Sequence, residues 1–304
     1  MTLLTAPPVT RQLGASGITI SSIAWGMWRL AEQGRDAGAA ARLVRVALDA
    51  GMTLLDTADI YGFDGAQGFG DAEALLGEVL AAEPGLRPRM VLATKGGIRP
   101  PIPYDQSPEY LRGALEASLR RLRSETIDLY QIHRPDILSH PQEVARFLDD
   151  AVTSGKVRAI GVSNFTPSQI ETLGHFLGHP LAATQPEISP LRLACFENGE
   201  LEQAMRLKLT ALAWSPLGGG RLLAPRTPRD RAVAAELDRI GGEQGVSRAV
   251  AAYGWLMAHP AGIVPIVGSQ TEDRIAEAPR ALAMRWTRQD WYAVLVAARG
   301  EPLP

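Results

Sequence analysis

Cysteine is almost missing from this chain: Cys195 stands alone among 304 residues. No internal disulfide can form, so an oxidising compartment is not implied. No His lies near Cys195 in the sequence and no metal-ligand spacing surrounds it, so it reads as a small buried or half-buried apolar residue. An excess of charge of one sign is missing too. Lys and Arg total 31 against 33 Asp and Glu, a formal net charge of -2, and no basic run offers the electrostatic footprint of a nucleic-acid binder. Long apolar runs are also absent: none approaches the roughly 20 residues needed to span a bilayer. The opening Met1-Thr-Leu-Leu-Thr-Ala-Pro-Pro has neither the basic nor the apolar region of a signal peptide. The expectation is a cytoplasmic protein without nucleic-acid, membrane or metal partners.

What is present is a regular alternation. Hydrophobic residues make up 46% of the chain and charged residues 21%, a balance that supports a large core. Short segments hydrophobic on both faces begin at Ile23, Leu54, Met90, Ile127, Val157, Ala183, Leu209 and Ile263. Such runs suit parallel strands covered on each side. Between them lie stretches of helical period. Residues 40–50 stop at Gly51, and Ser107-Pro108 opens a helix whose Leu111, Leu115, Leu119 and Leu122 share one face. Thr166-Pro167 repeats that start. Residues 230–240 and 247–258 give two helices after the seventh strand, Thr271-Glu-Asp opens another, and 288–298 gives a terminal one. Eight strand–helix units without a break in composition predict one domain over residues 1–304, an α/β (β/α)8 TIM barrel. Residues 11–20, with Gly14 and Gly17, predict an N-terminal β-hairpin cap, and extra helices fall near the C-terminus.

Barrels place their chemistry at the C-terminal ends of the strands. There the sequence puts Asp56 and Tyr61 after the second strand, Lys95 after the third and His133 after the fourth. Ser163-Asn164 follow the fifth, Gln185 lies in the sixth, and Trp214-Ser215 end the seventh. Taken singly, each has a plain reading: a helix cap for the Asp, surface stacking for the Tyr, a snorkelling Lys, a core His. As a set at one mouth they form a proton-transfer unit. A phenol with a pKa near ~10 is a poor acid at neutral pH, and a buried ammonium beside it would lower that value. Asp56 would hold Lys95 charged, and His133 would orient a carbonyl oxygen next to the Tyr hydroxyl. Lacking another nucleophile, the set implies a hydride donor, hence a nicotinamide cofactor. No G-x-G-x-x-G occurs. A phosphate site is expected instead in the loops 214–221 and 268–274. Trp214 offers a face to a nicotinamide ring, and Ser269 and Arg274 suit an adenosine 2′-phosphate. Gly219 and Gly220 read as turn formers.

These segments resemble the aldo-keto reductase superfamily. The match is carried by Leu55-Asp-Thr-Ala-Asp-Ile-Tyr-Gly62, Thr94-Lys95-Gly96, Asp128-Leu-Tyr-Gln-Ile-His133, Gly161-Val-Ser-Asn-Phe165, Thr184-Gln185, Ala213-Trp-Ser-Pro-Leu217 and Pro265-Ile-Val-Gly-Ser-Gln. The wording Trp28-Arg-Leu, His133-Arg-Pro-Asp and Trp214-Ser-Pro-Leu-Gly-Gly-Gly-Arg221 is similar to a bacterial subgroup of YdhF type. The resemblance implies reduction of an aldehyde or ketone by NADPH, with NADH as an alternative donor. It makes Tyr61 the proton donor, tuned by Lys95 and Asp56, with His133 orienting the carbonyl. The implied cofactor contacts are Gly26, Met27, Asp56, Ser163, Asn164, Gln185, Trp214, Ser215, Leu217, Gly219, Ser269, Arg274 and Glu277, the last near the adenine. Trp28 would line the substrate mouth.

The chain departs from the pattern at Gly268, where many members carry Lys, at Ala278, where many carry Asn, and at Pro186 after Gln185. The short stretch 134–141 predicts a mouth open on that side. Trp25, Trp28, Phe63, Trp214 and Trp291 are candidates for an aromatic pocket, some of which must be core. A monomer acting on a small carbonyl compound is expected. Two other readings are a Schiff-base aldolase using Lys95 and a nicotinamide-binding regulatory subunit with slow turnover.

Overall fold

In the computed structural model, which describes residues 2–303 (Gln33 through its backbone alone), an antiparallel hairpin comes first. It pairs β1 (Thr10–Gln12) with β2 (Thr19–Ser21). The parallel strands follow: β3 (Ala24–Gly26), β4 (Leu54–Asp56), β5 (Val91–Gly96), β6 (Ile127–Ile132), β7 (Val157–Ser163), β8 (Leu181–Gln185), β9 (Thr210–Ala213) and β10 (Val264–Val267). They close because β10 pairs with β3 as well as with β9. The eight apolar segments of the sequence are these eight strands.

Around the barrel lie α1 (Ala37–Asp49), α2 (Asp71–Ala82), α3 (Pro108–Leu122), α4 (Pro141–Thr153), α5 (Pro167–Phe176) and α6 (Glu200–Leu207). Then come α7 (Pro228–Glu243) and α8 (Arg248–Met257), both between β9 and β10, followed by α9 (Glu272–Glu277) and α10 (Arg288–Arg299). Helix starts follow their caps. Ser107 accepts from the Tyr110 amide and Thr166 forms a reciprocal box with Gln169. Leu111, Leu115, Leu119 and Leu122 are all buried.

Two starts differ from the sequence reading. The first helix begins at Ala37 because Asp36 caps it, and the seventh at Pro228 because Thr227 does. Helices α2, α4 and α6 carry no Ser, Thr, Asp or Asn cap: Gly70 and Gly199 stand in left-handed conformation before α2 and α6, and the His140 ring caps α4.

Inside the barrel Leu54, Ala93, Leu129, Ala159, Ala183, Leu212 and Val264 pack with Leu13, Ile18 and Ile20 of the hairpin. Gly14 (φ +55°) lies so close to the Ala182 backbone that a side chain would overlap it, and its amide donates to Thr210 Oγ1 at 2.9 Å. Ala182 and Thr210 sit at strand starts, so the hairpin plugs the N-terminal end. The C-terminal end is left for chemistry.

Candidate active site

Side chains of a strand alternate inward and outward. Above the apolar layer of Leu54, Ala93, Leu129 and Ala183, the next inward positions are Asp56, Lys95, Gln131 and Gln185, all buried. Strand register sets Lys95 opposite Gln131 and Ser163 opposite Gln185, whereas Asp56 pairs with Ala93 and Gly161 with Ala183, so the strand tilt staggers these positions along the barrel. On these four strands the barrel interior therefore changes from hydrocarbon to polar within one repeat.

Lys95 is fully buried, and its ammonium has three donors and three acceptors. Nζ donates to Asp56 Oδ2 at 2.7 Å, to the Thr57 carbonyl at 2.8 Å and to Tyr61 Oη at 3.0 Å. Burial pulls its pKa down, but the Asp56 and Tyr61 charges outweigh that and the net shift is upward. A lysine held charged with every proton engaged has no lone pair for attack on a carbonyl. This argues against the Schiff-base reading. Asp56 is itself steadied on its other oxygen by Gln185 Nε2 at 2.9 Å and Gln131 Nε2 at 3.5 Å. Gln131 was not among the residues singled out in the sequence, although its place two residues after Leu129 on an inward-alternating strand is the signal that finds it.

Tyr61 stands half-buried on the loop after β4, edge-on to His133 with ring centroids 5.8 Å apart. Its pKa shifts opposite to the sequence expectation. Burial raises it most, the Lys95 charge lowers it, Asp56 raises it again, and the outcome lies above the ordinary phenol value. The ammonium limits the rise without reversing it, because desolvation of a phenolate in this layer is the larger effect. His133 is pushed well below the usual imidazole range by burial, then by Lys95 and Arg134. The ring is neutral, and its buried Nδ1 has no partner.

The next three strand ends are tied together. Asn164 takes left-handed backbone (φ 62°), and its Nδ2 donates to the His133 carbonyl at 3.1 Å and to Ser163 Oγ at 2.9 Å. Ser163 Oγ donates to the Gln185 carbonyl, and Trp214 Nε1 donates to Asn164 Oδ1 at 3.0 Å. Ser215 is also left-handed, at φ 51°. Two non-glycine residues in this region, each just beyond a strand, mark a rim whose geometry is imposed by its surroundings.

A half-buried indole beside a hydroxyl and two amides matches a flat ring that carries a carboxamide. On this chemistry the residues present fit a nicotinamide. Around them, Gly26 and Met27 are buried under the rim. The Gly26 carbonyl accepts from Gln270 Nε2 at 3.1 Å and the Met27 amide donates to the Asp56 carbonyl at 2.8 Å. Leu217 is half-buried. Gly219 is exposed at φ 66° with nothing within 4 Å of an added Cβ, so its glycine serves the turn. Ser269 is half-buried and Arg274 exposed, while the Glu277 carboxylate accepts from Ser247 Oγ at 2.8 Å and so is shared with the cap of α8. At Gly268, one of the positions where the sequence departs from the pattern it resembles, Arg29 from the loop after β3 donates to the carbonyl at 3.3 Å.

Of the aromatic candidates, Trp28 (65% exposed) and Trp214 stand at the rim. Trp25 and Trp291 are buried. Trp25 donates to the Ser269 carbonyl from inside the wall, and Trp291 stacks on Trp255 in the outer shell. Phe63 pairs edge-on with Phe69. The short loop after β6 exposes Ile137 and Leu138 almost completely. Arg134 in that loop was passed over in the sequence except as part of the His133-Arg-Pro-Asp wording. It is half-buried, and its guanidinium has no acidic or hydrogen-bond partner among the described residues. The nearby Asp136 is occupied instead by the Gln106 and Leu138 amides and Ser139 Oγ. The charge of Arg134 acts on both Tyr61 and His133.

Among the described residues no group of three or more His, Cys, Asp or Glu could hold a metal ion, and no helix is long and apolar enough to cross a membrane. Cys195 is buried, and its thiol donates to Glu200 Oε2 at 3.1 Å.

The pattern of the Aldo/keto reductase family matches residues 22–295. The chain is 72% identical over 304 residues to the 6-dehydroglucose reductase of Novosphingobium aromaticivorans, covering 100% of both chains. It is 36% identical over 304 residues to the oxidoreductase YdhF of Escherichia coli, covering 96% of this chain and 98% of that one. In fold it is similar to the thermostable aldo-keto reductase Tm1743 crystallised with the inhibitor epalrestat. That likeness has a TM-score of 0.83 at 22% identity, over 95% of this chain and 100% of the other.

Proposed function

The chain belongs to the aldo/keto reductase family, and within that class of nicotinamide-dependent oxidoreductases we propose that it reduces a sugar aldehyde with NADPH, Tyr61 giving the proton. The observation that carries this reading is the fully engaged Lys95 ammonium, 3.0 Å from Tyr61 Oη and 2.7 Å from Asp56 Oδ2 above the apolar layer of the barrel. The cofactor, when bound, supplies hydride to the carbonyl carbon. Ser163, Asn164 and Gln185 would hold its carboxamide and Trp214 its ring, with Ser269 and Arg274 at the adenosine phosphate.

The protein's own part is proton transfer. As the carbonyl π bond breaks and the oxygen gains charge, the Tyr61 hydroxyl protonates that oxygen. The phenolate left behind is stabilised by Lys95, which Asp56 keeps charged. A raised Tyr61 pKa keeps the hydroxyl protonated across neutral pH, which suits a donor in the reducing direction. Neutral His133 contributes a hydrogen bond to the same oxygen without competing for the proton.

The relative named for 6-dehydroglucose suggests the substrate class, a glucose oxidised to the aldehyde at C6. Arg134 supports it, since an unpaired guanidinium at the rim can hold several hydroxyl oxygens at once. A buried free thiol fits a reducing, cytoplasmic setting, and the proposal has the chain act as a monomer. The test is NADPH oxidation with 6-dehydroglucose, with glucose, and with simple aliphatic aldehydes. Preferential turnover of the first supports the whole reading. Equal turnover of simple aldehydes keeps the reductase and removes the sugar; no turnover with any carbonyl removes both.

A further inference from the structure

Behind the Tyr61 loop, between the barrel wall and helices α2 and α3, lies a second set of buried ionisable groups that the proton transfer does not use. Glu73 of α2 and Asp59 of the loop after β4 are both fully buried. Glu73 is well served: Thr94 Oγ1 donates to one oxygen, and Arg121 donates to the other from Nε at 2.8 Å and from Nη2 at 2.7 Å. Asp59 has nothing comparable. Among the described residues neither of its oxygens has a well-formed hydrogen bond, the neighbouring Ile60 amide acting on it only weakly, and the buried Thr57 and Tyr130 hydroxyls have no partner either. Asp59 and Tyr130 converge on Gly96: a methyl there would overlap the Tyr130 hydroxyl and sit 3.3 Å from Asp59 Oδ2. The groups facing this space are Glu73 from α2, Arg121 and Tyr110 from α3 and Tyr130 from β6, with the Lys95 charge acting on it from inside the barrel.

Two carboxyl groups thus share one guanidinium, which Glu73 already engages through two nitrogens. Lys95 is spoken for by Asp56, Thr57 and Tyr61. A second carboxylate in this space would be a buried charge without a counter-ion of its own, which proteins avoid by retaining the proton. We infer that Asp59 is held as a neutral carboxylic acid and serves as a positioning residue that fixes the Tyr61 loop to the strand of Lys95. Main-chain bonds place residue 59 at the joint: the Asp59 amide donates to the Lys95 carbonyl at 3.0 Å and the Tyr61 amide to the Ala58 carbonyl at 3.1 Å, while the Asp59 carboxyl fills the space beside Gly96 and Tyr130 behind that joint. Burial raises its pKa first and Glu73 second, against weaker relief from Arg121, the Ile60 amide and Lys95.

A carboxyl whose folded pKa lies above its unfolded value stabilises the fold fully below the ordinary carboxyl range. That stability is lost as pH rises toward the folded pKa.

This inference rests on the proposed role of Tyr61 only for its kinetic part, so its first readout is made without substrate. The infrared spectrum of the full chain at neutral pH should show the C=O stretch of a buried protonated carboxyl that Asp59→Asn lacks. Asp59→Asn, a permanently neutral isostere, should keep kcat near wild type and lose part of the fall in Tm with rising pH. Asp59→Ala should lose kcat by about tenfold or more through a misplaced hydroxyl, with NADPH affinity unchanged. Absence of the carboxyl band in the wild-type protein overturns the inference even if neither variant folds. So does an unaltered pH dependence of Tm in Asp59→Asn, or equal kcat in both variants. If the band is present but Tyr61→Phe stays fully active, the proton-donor reading fails and the neutral acid stands.

Discussion

Trp214 Nε1 donates to Asn164 Oδ1 at 3.0 Å, joining the end of β9 to the end of β7 across Gln185 of β8. The bond fixes the indole plane with the same amide whose Nδ2 clamps the His133 carbonyl. The indole of Trp214 and the backbone of His133 are therefore tied to one asparagine. Trp214→Phe keeps an aromatic face and removes the donor, at a cost of roughly 0.5–1.5 kcal/mol for one hydrogen bond. Fluorescence titration should show NADPH binding weakened by about two- to tenfold. Unchanged affinity would detach Trp214 from the cofactor.

Cofactor choice is expected to rest on Arg274, since Gly268 offers no side chain and Glu277 is shared with Ser247. Arg274→Ala should raise the NADPH Kd by about ten- to a hundredfold, the worth of a charge-assisted contact at ~1.5–3 kcal/mol. The NADH Kd should stay put. Equal losses for both nucleotides would place the arginine elsewhere.

The pH behaviour follows from Tyr61. Because burial keeps its pKa above the ordinary phenol value despite Lys95, the hydroxyl is protonated throughout the neutral range. Carbonyl reduction should therefore be flat in pH there, while alcohol oxidation, which needs the phenolate, should rise with pH. Lys95→Met removes the one close charge that opposes the rise. Its kcat for reduction should drop by roughly a hundredfold or more, with the alkaline rise of oxidation moved to still higher pH. Oxidation that is insensitive to pH in the wild type would count against this assignment.

Stability has a separate anchor. Trp255 and Trp291 stack at 4.8 Å and exchange hydrogen bonds, each indole donating to the other's backbone carbonyl at 3.0 Å. This pins α10 to α8. Trp291→Ala should cost about 3–5 kcal/mol in denaturant unfolding, with NADPH affinity intact. A loss of cofactor affinity of matching size would mean the two regions are coupled.

The barrel was legible because its information is local. Eight apolar runs, caps such as Ser107 and Thr166, and glycines such as Gly51 act within a few residues of where they stand. Helices α2, α4 and α6 were not legible, since Gly70, Gly199 and His140 replace the usual capping side chains. At the site, Asp56, Tyr61, Lys95 and His133 could be picked out because each directly follows or ends an apolar run. Gln131 and Arg134 were missed: one is hidden inside the run, the other distinguished only by having no partner. The direction of the Tyr61 shift was equally beyond sequence reasoning. It depends on how deeply the phenol is buried against a charge 3.0 Å away, and neither quantity is local.

The most direct test of the proton-transfer mechanism is single-turnover reduction by Tyr61→Phe, with cofactor bound in advance and the nicotinamide absorbance followed after adding aldehyde. Removing one hydroxyl should slow hydride transfer by about 10²–10⁴-fold, the range for a general acid, and leave the NADPH Kd unchanged. Hydride transfer at the wild-type rate would show that the proton comes from another group, and the tuning roles of Lys95 and Asp56 would fall with it.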